Sequence, residues 1–181
     1  MVRRFILLSL ALAALALASP SRADVVPIDP FDGTLSENFD SFSEGGGLQE
    51  LVIFDGFATV YNQSPGGAIK LEYNSSLDGR LVLPHSPPLM MGQMGIMLWE
   101  FEEPLNQFGS YFANNSRFDD AQVDFYDENG DWIDSTIATV PNTGSWYWNG
   151  WESDVPIKWI VIARATMKGS DTPSFGSMMC K

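Results

Sequence analysis

The hydrophobic pattern of this chain has the short period of β-strands. From Thr34 onward, runs of β-branched, aromatic and aliphatic residues are separated every eight to twelve residues by Gly, Pro, Asn or Asp, as is typical of all-β proteins. In residues 69–73 apolar side chains alternate with Lys70 and Glu72, which predicts one buried and one solvated face. The same alternation predicts that Ala121, Val123 and Phe125 are buried. Residues 159–163 are apolar on both faces, which favours a central strand. The candidate strands are 51–54, 58–61, 69–73, 80–83, 95–101, 108–113, 121–126, 132–139, 145–149 and 157–165.

The breaks between these runs predict turns and an overall fold class. Asp55-Gly56 and Asn129-Gly130 lie between apolar segments, and both pairs suit the positive φ angles of tight hairpins. About ten strands exceed what one open sheet carries comfortably. We therefore expect two packed antiparallel sheets, a jelly-roll-like β-sandwich. It would occupy residues 34–181 as a single domain, after an extended lead-in at residues 24–33.

The N-terminus has the order of a secretory signal peptide. Two arginines precede the apolar block 5–18, and small residues at Ser21 and Ala23 follow it. This order predicts cleavage after Ala23, so residues 1–23 would be removed and the mature chain would act in the periplasm or outside the cell. The apolar block is shorter than the roughly 20 residues that span a bilayer, and no later segment is apolar enough to do so. The single cysteine, Cys180, permits no intrachain disulfide.

The net charge limits the classes of partner that the chain is expected to bind. The chain has 10 basic and 23 acidic residues, and the predicted signal holds three of the basic ones (Arg3, Arg4 and Arg22). Seven basic and 23 acidic residues then remain, so the mature formal charge is −16. Such a surface disfavours nucleic acid and anionic lipid as partners, although solubility alone accounts for it equally well.

Acidic loops raise the possibility of a structural calcium ion, because calcium takes oxygen ligands. The candidate ligands are Glu37, Asp40, Asp119 and Asp120. The acidic segment 127–131 is not an EF-hand, since Gly130 at the sixth position would put Phe125 at the first. We interpret this segment as a hairpin turn. Zinc is disfavoured, because the chain has one histidine and one cysteine.

No catalytic constellation is evident. His85, the only imidazole, lies between prolines and is interpreted as a solvated loop residue. Glu100 and Glu102 alternate with aromatic residues and share one face, where Glu72 would be a further neighbour across the sheet. Such a pair is a candidate for glycoside hydrolysis, but a solvated sheet face predicts the same alternation. We therefore expect a protein that is not an enzyme.

Aromatic residues are the remaining functional signal. Trp146, Tyr147, Trp148 and Trp151 fall within six residues, and strand alternation puts Trp146 and Trp148 on one face and Tyr147 on the other. Exposed aromatic rings suit a sugar-binding surface, whereas buried ones fill the core. These four residues are the candidate ligand-binding site, and Tyr147 or Trp151 is expected to be the exposed member.

The segments 37–42 (ENFDSF), 108–112, 123–135 and 148–157 resemble secreted bacterial β-sandwich domains found in exosortase-sorted extracellular proteins. Those domains are similar in outline to galactose-binding-like carbohydrate modules. The resemblance supports a sandwich fold more than any activity. The expected partner, a polysaccharide or cell-surface glycan, follows from the aromatic cluster. The resemblance implies a structural calcium less clearly, since Met178-Met179-Cys180 stands where the group has an acidic pair, and the sorting tail has no counterpart.

Three functional hypotheses follow from the sequence. The first is a secreted, non-catalytic β-sandwich that binds glycan or extracellular matrix through its aromatic cluster. The second is a calcium-stabilised structural protein that takes part in cell-surface assembly. The third is a glycoside hydrolase.

Overall fold

The computed structural model describes residues 24–77, 79–86, 88–115, 120–164 and 177–180. Within these ranges the chain forms thirteen strands and one 3₁₀ turn, Phe54–Gly56, and antiparallel sheets pack against each other. The predicted all-β sandwich is therefore confirmed. The strands are β1 Val25–Pro27, β2 Gly45–Leu48, β3 Glu50–Ile53, β4 Ala58–Asn62, β5 Ile69–Glu72, β6 Ser75–Leu77, β7 Arg80–Val82, β8 Met90–Met94, β9 Met97–Asn114, β10 Ala121–Tyr126, β11 Trp132–Ala138, β12 Tyr147–Arg164 and β13 Ser177–Cys180.

Two long strands, β9 and β12, organise the fold. They pair with each other in the middle of a large sheet whose strand order is β11-β10-β12-β9-β13-β8-β5-β2. Strand β1 also pairs with β12, and the β3–β4 hairpin pairs with β9 through β4. Strands β6 and β7 form a separate hairpin. Residues 159–163 lie in β12 between β10 and β9, which confirms their predicted central position.

The prediction of four separate strands at 95–101, 108–113, 145–149 and 157–165 was wrong, because they merge into β9 and β12. The predicted strands leave the segments around Pro104 and Pro156 as connections. Instead, both prolines lie where the β9–β12 register is irregular, between the pairs Glu152–Gln107 and Trp159–Glu100. Proline is tolerated in a sheet at such irregularities.

The core lies on the inner faces of these strands. Ala121, Val123 and Phe125 are fully buried, so their predicted alternation is confirmed. In β5 the side chain of Leu71 is also buried, whereas Tyr73 is 49% exposed. The prediction that Tyr73 continues the buried face was wrong because β5 ends at Glu72.

Both predicted turns connect strands. Residues 54–56 join β3 to β4, and residues 127–131 join β10 to β11. In the second turn the carboxylate of Asp127 accepts the backbone N–H groups of Asn129 at 2.8 Å and Asp131 at 2.9 Å. The bond from Asp131 is the main reason that the pKa of Asp127 is lowered. A hairpin, rather than a calcium loop, therefore accounts for this acidic segment.

The predicted signal peptide, residues 1–23, lies outside the described residues. Within the described ranges, no helix has the length and apolar character needed to cross a bilayer.

Candidate functional site

The predicted aromatic cluster is divided between the core and the surface. Trp151 is only 2% exposed; it is the register partner of Phe108 in β9 and stacks on that ring at 6.2 Å. The rings of Phe112 and Phe125 meet it edge-on. Of the two residues predicted as alternatives for the exposed member, Tyr147 and Trp151, Trp151 is therefore the buried one, and a side chain enclosed in this way cannot stack on a ligand.

Tyr147 is 51% exposed, as expected. It lines a cavity of about 420 Å³ together with Ile137 and Asn149. Trp146 packs against the small cluster formed by Val82, Met90 and Ala113. Its indole Nε1 donates a hydrogen bond to the carbonyl oxygen of Leu83 at 2.7 Å, so Trp146 ties the start of β12 to the β6–β7 hairpin.

Trp148 lies on the opposite face of the β9–β12 pair from Trp151, directly over two glycines. Gly109 and Gly150 are register partners. A Cβ on Gly109 would lie 2.4 Å from Cζ2 and Cη2 of Trp148, and one on Gly150 would lie 2.8 Å from Cζ2 and Nε1. Only glycine leaves room for the indole here. The Nε1 of Trp148 also donates to the carbonyl oxygen of Ile28 at 3.1 Å, which fixes the ring.

Further aromatic rings contact Trp148 and form a row with it. Phe31 meets it edge-on at 5.9 Å, and Tyr111 meets it at 5.2 Å. His85 stacks on Tyr111 at 3.9 Å and meets Trp146 edge-on at 6.0 Å. His85 is exposed, as predicted for a loop residue, but it is also part of this row. We call these five residues the aromatic track.

A cavity of about 640 Å³ opens beside Trp148 and Tyr111; we call it the outer cavity. Its size lies within the range of about 300–1,000 Å³ that is usual for ligand pockets. Its polar side chains belong to residues 32–37 and to β9 and β12, and its apolar ones include the rings of Phe54 and Phe57 between β3 and β4. The lining of the outer cavity includes Phe31, Asp32, Glu37, Phe54, Phe57, Asn106, Gln107, Tyr111, Trp148 and Glu152.

Two amides on β9 are held by hydrogen bonds at the edge of this cavity. The Nε2 of Gln107 donates to Oε1 of Glu152 at 3.3 Å. The Nδ2 of Asn106 donates to the carbonyl oxygen of Ser153 at 3.0 Å. Each amide is therefore held across the β9–β12 ladder, in the cavity lining that also contains Trp148 and Tyr111.

Glu37, predicted as a weak metal ligand, instead braces the cavity wall. Its Oε1 accepts the backbone N–H of Phe39 at 2.7 Å and its Oε2 accepts that of Phe54 at 3.1 Å. Phe39, Phe54 and Asp55 have φ angles of 62°, 51° and 54°, a region that costs non-glycine residues about 1–3 kcal/mol each. The carboxylate thus connects two segments whose backbone has positive φ angles, one at Phe39 and one at Phe54, and Glu37 and Phe54 both line the outer cavity.

The other candidate metal ligands do not gather around Glu37 in the described part of the chain. Asp40 pairs with the Asn38 side chain at 2.6 Å, and Asp120 accepts the backbone N–H of Val140 at 3.1 Å. Asp119 lies outside the described residues. Among the residues that are described, no group of three or more His, Cys, Asp or Glu side chains is placed to hold a metal. A structural calcium stays a prediction.

The candidate hydrolase carboxylates lie elsewhere. Glu100 is the register partner of Thr59 and Trp159, and neither Glu100 nor Glu102 lines the outer cavity. Partial burial raises the pKa of Tyr61, and the charge of Glu100 adds to this effect. Glu72 is not their neighbour, because β5 pairs with β2 and β8, and its carboxylate lies 3.5 Å from Lys70.

Sequence reasoning missed Phe31, Tyr111, Gly109 and Gly150. One signal was present, because glycine in a strand interior marks a bulge or a close approach, and Gly109 and Gly150 each lie next to aromatic segments. Phe31 had no comparable signal, since its contact with Trp148 joins residues far apart in the sequence.

The comparisons with known proteins leave the chain without a family assignment. No protein-family model matches it, and no curated protein matches it. Among solved structures, the enzymatically active domain of tailspike protein 4 from bacteriophage CBA120 is similar at 14% identity and a TM-score of 0.31, with 80% of this chain covered. The match covers 19% of that chain. A likeness this weak carries no argument about function, and the resemblance to exosortase-sorted domains stays a prediction.

Proposed function

We propose that the chain is a non-catalytic glycan-binding β-sandwich and that it binds a polysaccharide segment in the outer cavity. The observation that carries the proposal is the floor of this cavity, where the indole of Trp148 and the ring of Tyr111 lie beside the amides of Asn106 and Gln107. Apart from Trp148, this set differs from the four residues expected from the sequence.

The chemistry of the cavity suits a sugar. A pyranose ring has apolar C–H faces and a rim of hydroxyl groups. Aromatic rings pack against apolar faces, while a few oriented amides and carboxylates fix a ligand through hydrogen bonds. Trp148 and Tyr111 supply the rings, and Asn106, Gln107 and Glu152 supply the polar groups.

The site is also held in place before a ligand arrives. Trp148 is fixed by the contact with Gly109 and Gly150 and by its hydrogen bond to Ile28, and Gln107 is bonded to Glu152. Groups that are already ordered lose little conformational freedom on binding. The aromatic track continues past the cavity to His85 and Trp146, which favours a polymer over a single sugar.

The proposal is tested with residues 24–181 on a glycan array, followed by calorimetry with the best oligosaccharide. Trp148→Ala should weaken binding by about tenfold or more, the equivalent of about 1.4 kcal/mol. Trp132→Ala is the matched control, because Trp132 is 49% exposed on β11 and does not line the outer cavity. Its affinity should stay within about twofold of wild type.

Absence of binding to every glycan, or equal affinity of the Trp148→Ala and wild-type proteins, would contradict the proposal. The proposal that the protein does not cleave its ligand is tested separately. The bound oligosaccharide should release no new reducing ends during prolonged incubation. Release that is lost in the Glu100→Gln, Glu102→Gln double variant would instead support a glycoside hydrolase.

We also propose that the protein acts outside the cytoplasm, on the basis of the signal-like segment 1–23. Expression of the full chain in a bacterial host should give an exported protein that begins at Asp24. N-terminal sequencing of the periplasmic or medium fraction tests this, and a cytoplasmic protein that retains Met1 or Val2 would contradict it.

A further inference from the structure

The charged side chains around the outer cavity are all of one sign. Asp32, Glu37 and Glu152 line it, and its lining contains no Lys, Arg or His among the described residues. From this we infer, given the glycan binding proposed above, that the ligand is a glycan without acidic groups and that a free amino sugar binds more tightly than its N-acetylated form.

The three carboxylates have different environments. Both oxygens of Glu37 accept backbone N–H groups, so this side chain is structural. Glu152 is exposed and shares one oxygen with the amide of Gln107 at 3.3 Å. Asp32 is exposed in the lead-in next to Phe31, whose ring contacts Trp148. Asp32 and Glu152 therefore line the outer cavity from two different parts of the chain.

These positions determine which charges a bound sugar can carry. A ring packed against Trp148 lies in the cavity that Glu152 and Asp32 also line, and no basic side chain of the described lining offsets their charge. A uronate or sulfate group there would meet uncompensated like charge, which opposes binding. A protonated amine would gain attraction, and exposed ion pairs of this kind contribute about two- to fivefold each in affinity.

The general acidity of the protein does not account for such selectivity. Exposed charges farther than about 8–10 Å from the ligand are largely screened at physiological ionic strength. Only carboxylates next to the ligand should distinguish an amine from its acetylated form. The selectivity should therefore depend on Asp32 and Glu152 rather than on the net charge of the chain.

The experiment is a calorimetric titration of residues 24–181 with three β-1,4-linked hexamers at about pH 5.5, where carboxylates are ionised. The probes are the glucosamine hexamer, the N-acetylglucosamine hexamer and a mannuronate hexamer. We expect the glucosamine hexamer to bind about three- to tenfold more tightly than the N-acetylated one and the mannuronate hexamer to show no binding. Raising the salt concentration to about 1 M should remove most of the preference for the amine.

Two double variants separate local charge from net charge. Asp32→Asn with Glu152→Gln keeps the shape of the cavity and should abolish the preference for the amine, measured as the ratio of the affinities for the glucosamine and N-acetylglucosamine hexamers in the same variant. Glu44→Gln with Glu128→Gln removes the same total charge at exposed positions outside the cavity and should keep the preference. A circular dichroism melt checks that both variants are folded.

The outcomes distinguish this inference from the function on which it rests. If none of the three hexamers and no other glycan binds, the glycan-binding proposal fails. If neutral glycans bind through Trp148 but the mannuronate hexamer binds equally well, only the charge selectivity fails. Equal preference for the amine in both double variants would also overturn it, because net charge would then be responsible.

Discussion

The two faces of the β9–β12 pair place an aromatic ring in different surroundings. On the inner face, the register partners Phe108 and Trp151 stack within the core. On the outer face, the next pair of partners is Gly109 and Gly150, and Trp148 folds over both. Neighbouring positions of one ladder thus place one ring in the core and the other at the outer cavity, where we propose that a glycan binds.

The physical reason lies in what each ring contacts. The ring of Trp151 is surrounded by Phe108, Phe112 and Phe125, so its apolar area is removed from water when the chain folds. Trp148 contacts backbone at the glycines and only the edges of Phe31 and Tyr111. Part of the indole surface of Trp148 therefore remains available to a ligand at the outer cavity.

The largest expected effect is on the inner face. Trp151→Ala should lower the free energy of unfolding by about 3–5 kcal/mol, because a large buried ring is removed and a cavity is left behind. Urea unfolding followed by circular dichroism measures this. The control Trp132→Ala removes a half-exposed indole and should cost about 0.5 kcal/mol or less. Similar losses in the two variants would contradict the assignment of Trp151 to the core.

The next effect concerns Gly109, which lies directly beneath the indole of Trp148. Gly109→Ala places a Cβ where the indole of Trp148 lies, at 2.4 Å, so the ring must move. We expect at least about tenfold weaker glycan binding and a stability loss of about 1–3 kcal/mol. Gly45→Ala is the matched control, since a Cβ there meets only the carbonyl oxygen of Ser43 at 3.9 Å. Unchanged binding by Gly109→Ala would show that the position of Trp148 is unimportant.

A smaller effect is expected at Glu37, which holds the wall of the outer cavity. Glu37→Ala leaves the N–H groups of Phe39 and Phe54 without their acceptor and should cost about 1–2 kcal/mol. Glu37→Gln keeps one carbonyl acceptor and should lose less. Thermal unfolding of the three proteins tests this order. Equal stability of all three would contradict the bracing role, and calcium-dependent stability lost in both variants would return Glu37 to the metal site.

The smallest effect concerns the β10–β11 turn. Its Asp127 has a pKa below the ordinary value of 3.8, mainly because the N–H of Asp131 donates to the carboxylate. The fold therefore favours the ionised form, and this contribution to stability is present above about pH 4 and lost as the pH falls through the lowered pKa. The difference in Tm between wild type and Asp127→Ala should be larger at pH 7 than at pH 2. A difference that does not shrink in acid would contradict this.

The sequence predicted the local features of the fold well. Alternation gave the buried positions of β10, and the Asp55-Gly56 and Asn129-Gly130 pairs gave both hairpins, because these signals act between neighbouring residues. The length of β9 and β12 was missed. The segments around Pro104 and Pro156 look like connections in the sequence, and only pairing with a distant strand keeps them extended.

The site was predictable only in part. Alternation puts Trp148 and Trp151 on opposite faces, but it does not determine which face meets the core. That choice depends on Phe108, the register partner of Trp151, and on Phe112 and Phe125, whose rings meet Trp151 edge-on. The role of Glu37 was missed for a similar reason, since its partner Phe54 lies 17 residues away.

The most direct test of the difference between the two faces is a ¹⁵N-labelled NMR titration of the tryptophan indole N–H groups. The chain has six tryptophans, and each signal is assigned by the loss of one peak in a single substitution, conservatively to Phe at buried positions. On addition of the N-acetylglucosamine hexamer, or of the best ligand from the array, the Trp148 signal should shift in proportion to occupancy. The Trp151 and Trp99 signals should stay in place. A titration in which Trp148 does not move while another indole does would contradict the account.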